Sequence, residues 1–367
     1  MSLYGNQVTK NVSGETHDYM RECATNTSVI PSWVESFSEQ SLFVAEFAES
    51  EYTKLMESVG VNELAVFEST GTFIVYEGST FQTFKDKVLG MLKNIAGAIK
   101  GAYDKVLKYF SDKANEFKNK VLTKQFGGVK DIDFTKISKD AKLGKIHEFA
   151  TDDFVGKIQE YAANANKESS DLEKTAEFNH TINTDSGNLG ADSKGISDEL
   201  VSKLKDINEK LIKNISGTEA KTVTEMTKEV HKQLLGKEVD VTVDWLEKNK
   251  SGLLNELTSA ASTKKSISEE YKNEKKHIND VIKKINGLKD GRNDAKVLAK
   301  YVQAEKDVIS VLHGCYSATM DVFKTRYSEY RNVFARAMRA QKKSVKESAG
   351  FFAETTQEDL VSEAFNW

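Results

Sequence analysis

Six histidines (His17, His147, His180, His231, His277 and His313) and two cysteines (Cys23 and Cys315) offer this 367-residue chain its widest choice of metal or nucleophilic chemistry. Their spacing supports neither. No two histidines stand four residues apart, and His147-Glu148 lacks the second histidine of a zinc-protease helix. His17 with Cys23, and His313 with Cys315, are pairs without the further ligands a zinc cluster needs. GxxxxGK[ST], GxGxxG and GxSxG do not occur, so neither a phosphate loop nor a nucleophile elbow is present. Asp185 to Asp192, around Gly187 and Gly190, lacks the ligand spacing of a calcium loop and reads as a solvated linker. Acid pairs such as Asp152-Asp153 point to different faces of a helix and nominate no general acid and base. The expectation is a noncatalytic protein with no cofactor and no metal. Cys315 reads as a small buried hydrophobe, and His313 as a residue packed in a bundle.

What chemistry remains is charge. The whole chain holds 52 Lys+Arg against 56 Asp+Glu, a formal net of -4, but the charges are segregated. Residues 1–80 have a net charge of -9, whereas residues 81–124 carry ten lysines against four acids, a net of +6. Within that second segment Phe84, Val88, Met91, Ile95, Ala98, Ala102, Val106 and Phe110 recur every three or four residues, which predicts an amphipathic helix. Its other faces carry Lys85, Lys93, Lys100 and Lys108, candidates for contact with lipid or nucleic acid. Core packing of the apolar face is the competing reading, and Gly97-xxx-Gly101 permits a close helix approach. A second basic stretch, 324–346, has a net of +7. Its Arg326, Arg331, Arg336, Arg339, Lys342 and Lys343 can follow a phosphate backbone without sequence preference. The alternative there is a solvated face that suits the dipole of a helix C-terminus.

The elements that position these charges are helical. The chain has a single proline, Pro31, which favours long uninterrupted helices. Residues 1–40 read as an extended acidic arm, 41–80 as a helix plus a β-hairpin, and 81–127 as the basic helix. In the second of these, Val66–Phe67 and Thr72–Tyr76 flank Ser69-Thr70-Gly71, a three-residue hairpin turn. A linker is expected over 128–150, a long-helix bundle over 151–350 and an acidic tail over 351–367. Within the bundle, helices are expected near 152–177, 196–214, 218–235, 242–262, 264–286 and 293–345. The last carries Val302, Ile309, Tyr316, Phe323, Tyr330 and Ala337 at seven-residue steps, so it should pack along its length against another long helix. The fold class is therefore all-α with one small β-hairpin and an extended N-terminal arm. No run of 18 apolar residues and no signal-peptide pattern is present, and the two distant cysteines suit a reducing compartment.

Residues 40–125 put an acidic helix (EFAESEYTKLMESVGVNELAVFE), a strand pair ending VYEG and an F-x-x-F-K-x-K-V helix in succession. This order resembles the internal head and prohead-core-type proteins of large tailed bacteriophages. The resemblance implies a capsid-associated protein made in the host cytoplasm, contacting other virion proteins or itself and packaged DNA. It also implies maturation cleavage after Glu68 (Val66-Phe67-Glu68) or Glu77 (Val75-Tyr76-Glu77), which would remove the acidic arm. Two other classes fit the helix pattern: a membrane-active bundle of the toxin type using 81–124, and an oligomeric coiled-coil adaptor using the C-terminal helix.

Overall fold

The computed structural model describes residues 32–58, 81–116, 132–148, 154–176, 192–260, 264–288 and 294–348. Among them are nine α-helices: α1 (Ser32–Ser58), α2 (Phe81–Glu116), α3 (Phe154–Ala176), α4 (Asp192–Asn208), α5 (Leu211–Ser216), α6 (Val223–Leu235), α7 (Val243–Ala260), α8 (Lys264–Asn286) and α9 (Asp294–Ser348). Two three-residue strands, β1 (Lys145–His147) and β2 (Glu238–Asp240), pair antiparallel with Ile146 opposite Val239.

The 55 residues of α9 make a rod about 83 Å long at 1.5 Å per residue. Every residue from Val308 to Phe323 is buried, so over this stretch the helix has no solvent face. Its sequence explains why: apart from His313 and Asp321, VISVLHGCYSATMDVF is apolar or small on all sides, and such a helix is stable only when surrounded. Helices α1, α3 and α6 cover it, with α4 and α5 along further parts of its length. The seven-residue stripe from Val302 to Ala337 is wholly buried, as expected, but against several short helices of the same chain rather than one long partner.

α6 lies closest to the rod at Gly314. A Cβ at Gly314 would stand 2.8 Å from Met226 Cε and 3.2 Å from Val223 Cγ1, so the missing side chain is what admits α6. α6 starts at Thr222, whose hydroxyl oxygen accepts the Glu225 N–H at 3.2 Å while Glu225 Oε2 accepts the Lys221 N–H at 3.0 Å, a close relative of the capping box.

α1 and α2 pack on each other, and α2 carries α8. The face of α2 predicted to be apolar is buried, including Phe84, Val88, Met91, Ile95, Ala102 and Val106. A string of rings joins the layers: Tyr316 of α9 to Phe37 of α1 at 5.6 Å, Phe37 to Tyr103 of α2 at 6.2 Å, and Tyr103 stacked on Tyr271 of α8 at 4.5 Å. Gly97 and Gly101 face open space, where an added Cβ would meet nothing within 4 Å, so the close helix approach expected there is not made among the described residues.

Three further expectations change. α1 begins at Ser32, inside the stretch read as an extended arm. The helix expected over 196–214 is two, α4 and α5, separated by a turn at Glu209-Lys210. The sheet forms between a stretch read as linker and a break between helices, with partners distant in sequence, so it is not a hairpin. The hairpin expected at 66–76 lies outside the described residues, as do Glu68 and Glu77.

Candidate functional site

Beyond Phe323 the rod keeps a buried stripe as far as Ala337, while its exposed positions become mostly basic. Arg331 is half-buried, and Arg336, Arg339 and Lys342 are exposed. At three-residue steps the last three share one side of the helix.

Residues 132–148 form a strap along this end. Ile132, Ile137, Leu143 and Ile146 are buried and pin it to the core. Asp133 opens a 3-10 turn (Phe134–Lys136), its Oδ1 accepting the Thr135 N–H at 3.1 Å. The Asp133 N–H donates to Gln341 Oε1 at 3.3 Å at one end of the strap. At the other end Glu329 takes both the His147 N–H (Oε2, 3.0 Å) and His147 Nδ1 (Oε1, 2.6 Å). The strap therefore runs antiparallel to α9 from residue 341 back to 329, about 18 Å of helix at 1.5 Å per residue. The Val241 N–H donates to the Gly144 carbonyl at 2.8 Å, tying the strap to β2.

Between the two anchors Gly144 adopts φ +112°, a backbone conformation that L side chains rarely take. A Cβ on Gly144 would fall 2.5 Å from Arg336 Nη1. The glycine thus does two things: it turns the strap and leaves the seat on which the Arg336 guanidinium rests. The strap adds four exposed lysines to the surface, Lys136, Lys139, Lys142 and Lys145. Lys136 pairs with Asp133 at 3.1 Å and Lys145 with Glu238 at 2.8 Å, both in the open. Such exposed pairs exchange readily with solvent ions and hold the lysines only weakly. The hydrogen bond to Glu238, then the charges of Glu238 and Asp240, raise the Lys145 pKa, keeping it cationic.

The other sequence-predicted contact residues divide. Lys93 and Lys100 are exposed on α2. Lys85 is buried, its Nζ donating to the carbonyls of Leu288 (2.8 Å) and Asn286 (3.4 Å) at the end of α8, where a cation meets the helix dipole. Arg326 is also buried, with its guanidinium 5.3 Å from the Tyr330 ring centre. Neither presents its charge to a macromolecule, which corrects their candidacy. The side chains of Lys108 and Lys343 lie outside the described residues.

Sequence reasoning missed a buried ionic layer along α9. Glu305 Oε2 receives Ser169 Oγ–H of α3 at 3.1 Å and meets His277 Nε2 of α8 at 3.2 Å. His313 Nε2 meets Glu274 Oε1 of α8 at 2.7 Å. Asp321 Oδ1 accepts Ser38 Oγ–H of α1 at 3.0 Å and pairs with Lys324 at 3.0 Å. Lys306 Nζ lies between Glu49 (2.6 Å) and Asp307 (2.5 Å), above the Tyr52 ring. Burial disfavours the charged form of Lys306, but Asp307 and Glu49 outweigh it and the net shift is upward. The available signal was the recurrence of Glu305, His313, Ser317 and Asp321 at four- or eight-residue steps in a helix otherwise apolar all round.

Two features of this layer bear on chemistry. Ser169 hydrogen-bonds to the carboxylate and not to the imidazole, so the Ser169–Glu305–His277 group lacks the nucleophile-to-base order of a triad. Cys315 Sγ–H points to Met226 Sδ at 3.7 Å, and burial pushes its thiol pKa up, away from the reactive thiolate. Among the described residues no group of three His, Cys, Asp or Glu side chains is placed to hold a metal ion, and no helix is long and apolar enough to cross a membrane.

Comparison with known protein families, with curated proteins and with solved structures finds no match.

Proposed function

We propose that this chain is a noncatalytic structural component of a bacteriophage particle that contacts packaged DNA through the basic end of α9 and its strap. One observation carries the reading: Arg336, Arg339 and Lys342 line one side of a rigid rod whose middle is locked in a core, with the exposed lysines of the strap beside them. Cations held on a rigid frame gain affinity for a regular polyanion because little ordering entropy is lost on binding. The resemblance of residues 40–125 to internal head proteins supplies the particle context, and coat-protein neighbours are the other partners it implies.

Two measurements test it. Intact mass and copy number in purified particles should show the chain at many copies; its absence from particles refutes the virion role. Arg336→Glu, Arg339→Glu and Lys342→Glu together should reduce the slope of log binding constant against log salt by about 3, at about 0.9 per lost phosphate contact. An unchanged slope refutes the DNA contact.

A second reading, membrane contact, is favoured by one surface feature. Phe43 is 43% exposed, packs on Phe47 at 5.7 Å, and has Lys105 Nζ of α2 5.7 Å from its ring. An exposed phenylalanine beside a lysine suits an anionic lipid interface. The face of α2 first expected to meet lipid is not the one available, because it is inside the core. The coiled-coil adaptor has no such support: the α9 stripe that would zip to a second copy is covered by this chain's own helices.

A further inference from the structure

The seam between α8 and α9 is built differently from the other contacts of the rod. A small cavity of about 20 Å³ lies there, enough for one water. From α8 it is lined by Glu270, Glu274, His277 and Ile278, so three of the four side chains are ionisable. α9 adds Glu305 among the apolar Val308, Ile309 and Leu312, and α3 adds Ser169 beside Ala162 and Ala165. By contrast, α8 meets α2 through the Tyr271–Tyr103 stack and through Lys85 on its C-terminal carbonyls.

Within the seam three carboxylates converge on few cations. Among the described residues, Glu274 Oε2 and Glu305 Oε1 are buried without a hydrogen-bond partner. His313 Nε2, 2.7 Å from Glu274 Oε1, and His277 Nε2, 3.2 Å from Glu305 Oε2, are the two links across the seam. His277 faces Glu305 of α9, Glu173 of α3 and Glu274 of its own helix. Glu173 is itself paired with Lys284. On the α2 side Tyr103 and Asp104 are the titratable groups directed at this layer, Tyr103 toward Glu274 and Asp104 toward Tyr271.

We propose that the protonated His277 imidazole, seated on Glu305, fastens α8 to the central rod, and that losing this proton opens the α8–α9 seam while α8 stays seated on α2. With the imidazolium in place, Glu305 has a counter-charge and the carboxylate layer closes. Without it, Glu270, Glu274 and Glu305 face one another across a cavity already large enough to admit water. Burial alone would lower the His277 pKa, but the hydrogen bond to Glu305 and the charges of Glu305, Glu173 and Glu274 outweigh it, and the net shift is upward. A raised folded-state pKa gives stability that is complete below about 6.5, the ordinary histidine value, and is lost as the pH rises through the folded value. The crowding is visible at Glu270 too, whose pKa is raised by burial and then by Glu269 and Glu274.

Amide exchange of the full-length chain at pH 6 and pH 9, corrected for intrinsic rates, tests this. Protection over 267–286 should fall tenfold or more at pH 9 while 308–323 is unchanged. His277→Gln should show the weaker protection at both pH values. Equal protection at the two pH values, or a fall of the same size in His277→Gln, overturns the proposal. If His277→Gln does not fold, the His277→Gln/Glu305→Gln pair keeps a neutral hydrogen bond and should abolish the pH dependence. Carbon-13 titration of His277 in the unaltered chain gives an independent check: a midpoint below 6.5 overturns the fastening role.

Discussion

Gly314→Ala and Gly97→Ala are the same substitution in the same kind of element, and the structure predicts opposite signs for them. In a helix interior, alanine is favoured over glycine by about 1 kcal/mol. At Gly97 a Cβ meets nothing within 4 Å, so Gly97→Ala should keep nearly all of that gain. At Gly314 the new methyl would stand 2.8 Å from Met226 Cε, 3.2 Å from Val223 Cγ1 and 3.3 Å from Thr227 Oγ1, all on α6. The end of Met226 can bend, but Met226 is fully buried and its sulfur accepts Cys315 Sγ–H, so relief means moving α6. Overpacking of a close-packed site costs about 1 to 3 kcal/mol. The net for Gly314→Ala is then a loss of about 1 kcal/mol, and the two variants should differ by about 2 kcal/mol. Urea unfolding of both, with equal m-values, reads this as shifts of the midpoint in opposite directions. Adding Val223→Ala to Gly314→Ala should recover part of the loss beyond additivity. If Gly314→Ala stabilises as Gly97→Ala does, α6 is not seated on the rod there, and the account of how α9 is covered is wrong.

Gly144→Ala should cost about 1 to 2 kcal/mol from its positive φ, seen as a lower melting temperature, and should weaken DNA retention by unseating Arg336. Lys306→Met leaves Asp307 and Glu49 without their shared cation. Because Glu49 is 54% exposed and partly solvated, the expected loss is about 1 to 3 kcal/mol by urea unfolding. A cost below about 0.5 kcal/mol would show that the pair carries no net stability. In a Cys23→Ser background, alkylation of Cys315 at pH 8 should follow the rate or population of unfolding, because the thiol is buried and its pKa is raised. Fast labelling in native buffer would mean that the centre of α9 is open.

The long periodic elements were legible in the sequence because the signal repeats. Eight apolar positions of α2 and six heptad positions of α9 all favour a helix, so helix type and approximate span follow. What covers those faces was not legible, since an apolar stripe does not name its partner. A seven-residue repeat suits a matching long helix as well as the ring of shorter ones that surround Val308–Phe323. The strands were hidden for a related reason: three residues such as Lys145-Ile146-His147 give one alternation and no period. At the candidate interface, the arginines of α9 could be picked out by charge, whereas the strap could not. Its place depends on Glu329, Gln341 and Gly144, residues made meaningful by contacts across nearly 200 positions. Lys85 and Arg326 show the converse, since a basic residue on a periodic helix reads as solvated until a carbonyl or a ring is found over it.

The rod is also nearly the last part of the described chain to leave the ribosome. Ser38 of α1 bonds to Ser317 of α9, 279 residues later, so this contact of the core cannot form until most of the chain has been made. At roughly 5 to 20 residues per second, that interval lasts about 15 to 55 s. During that time α1 and α3 present apolar faces whose principal partner has not been made. Completion of this core is therefore deferred: faces of the early helices wait, exposed to aggregation and to chaperones, until the last helix is made and packs among them.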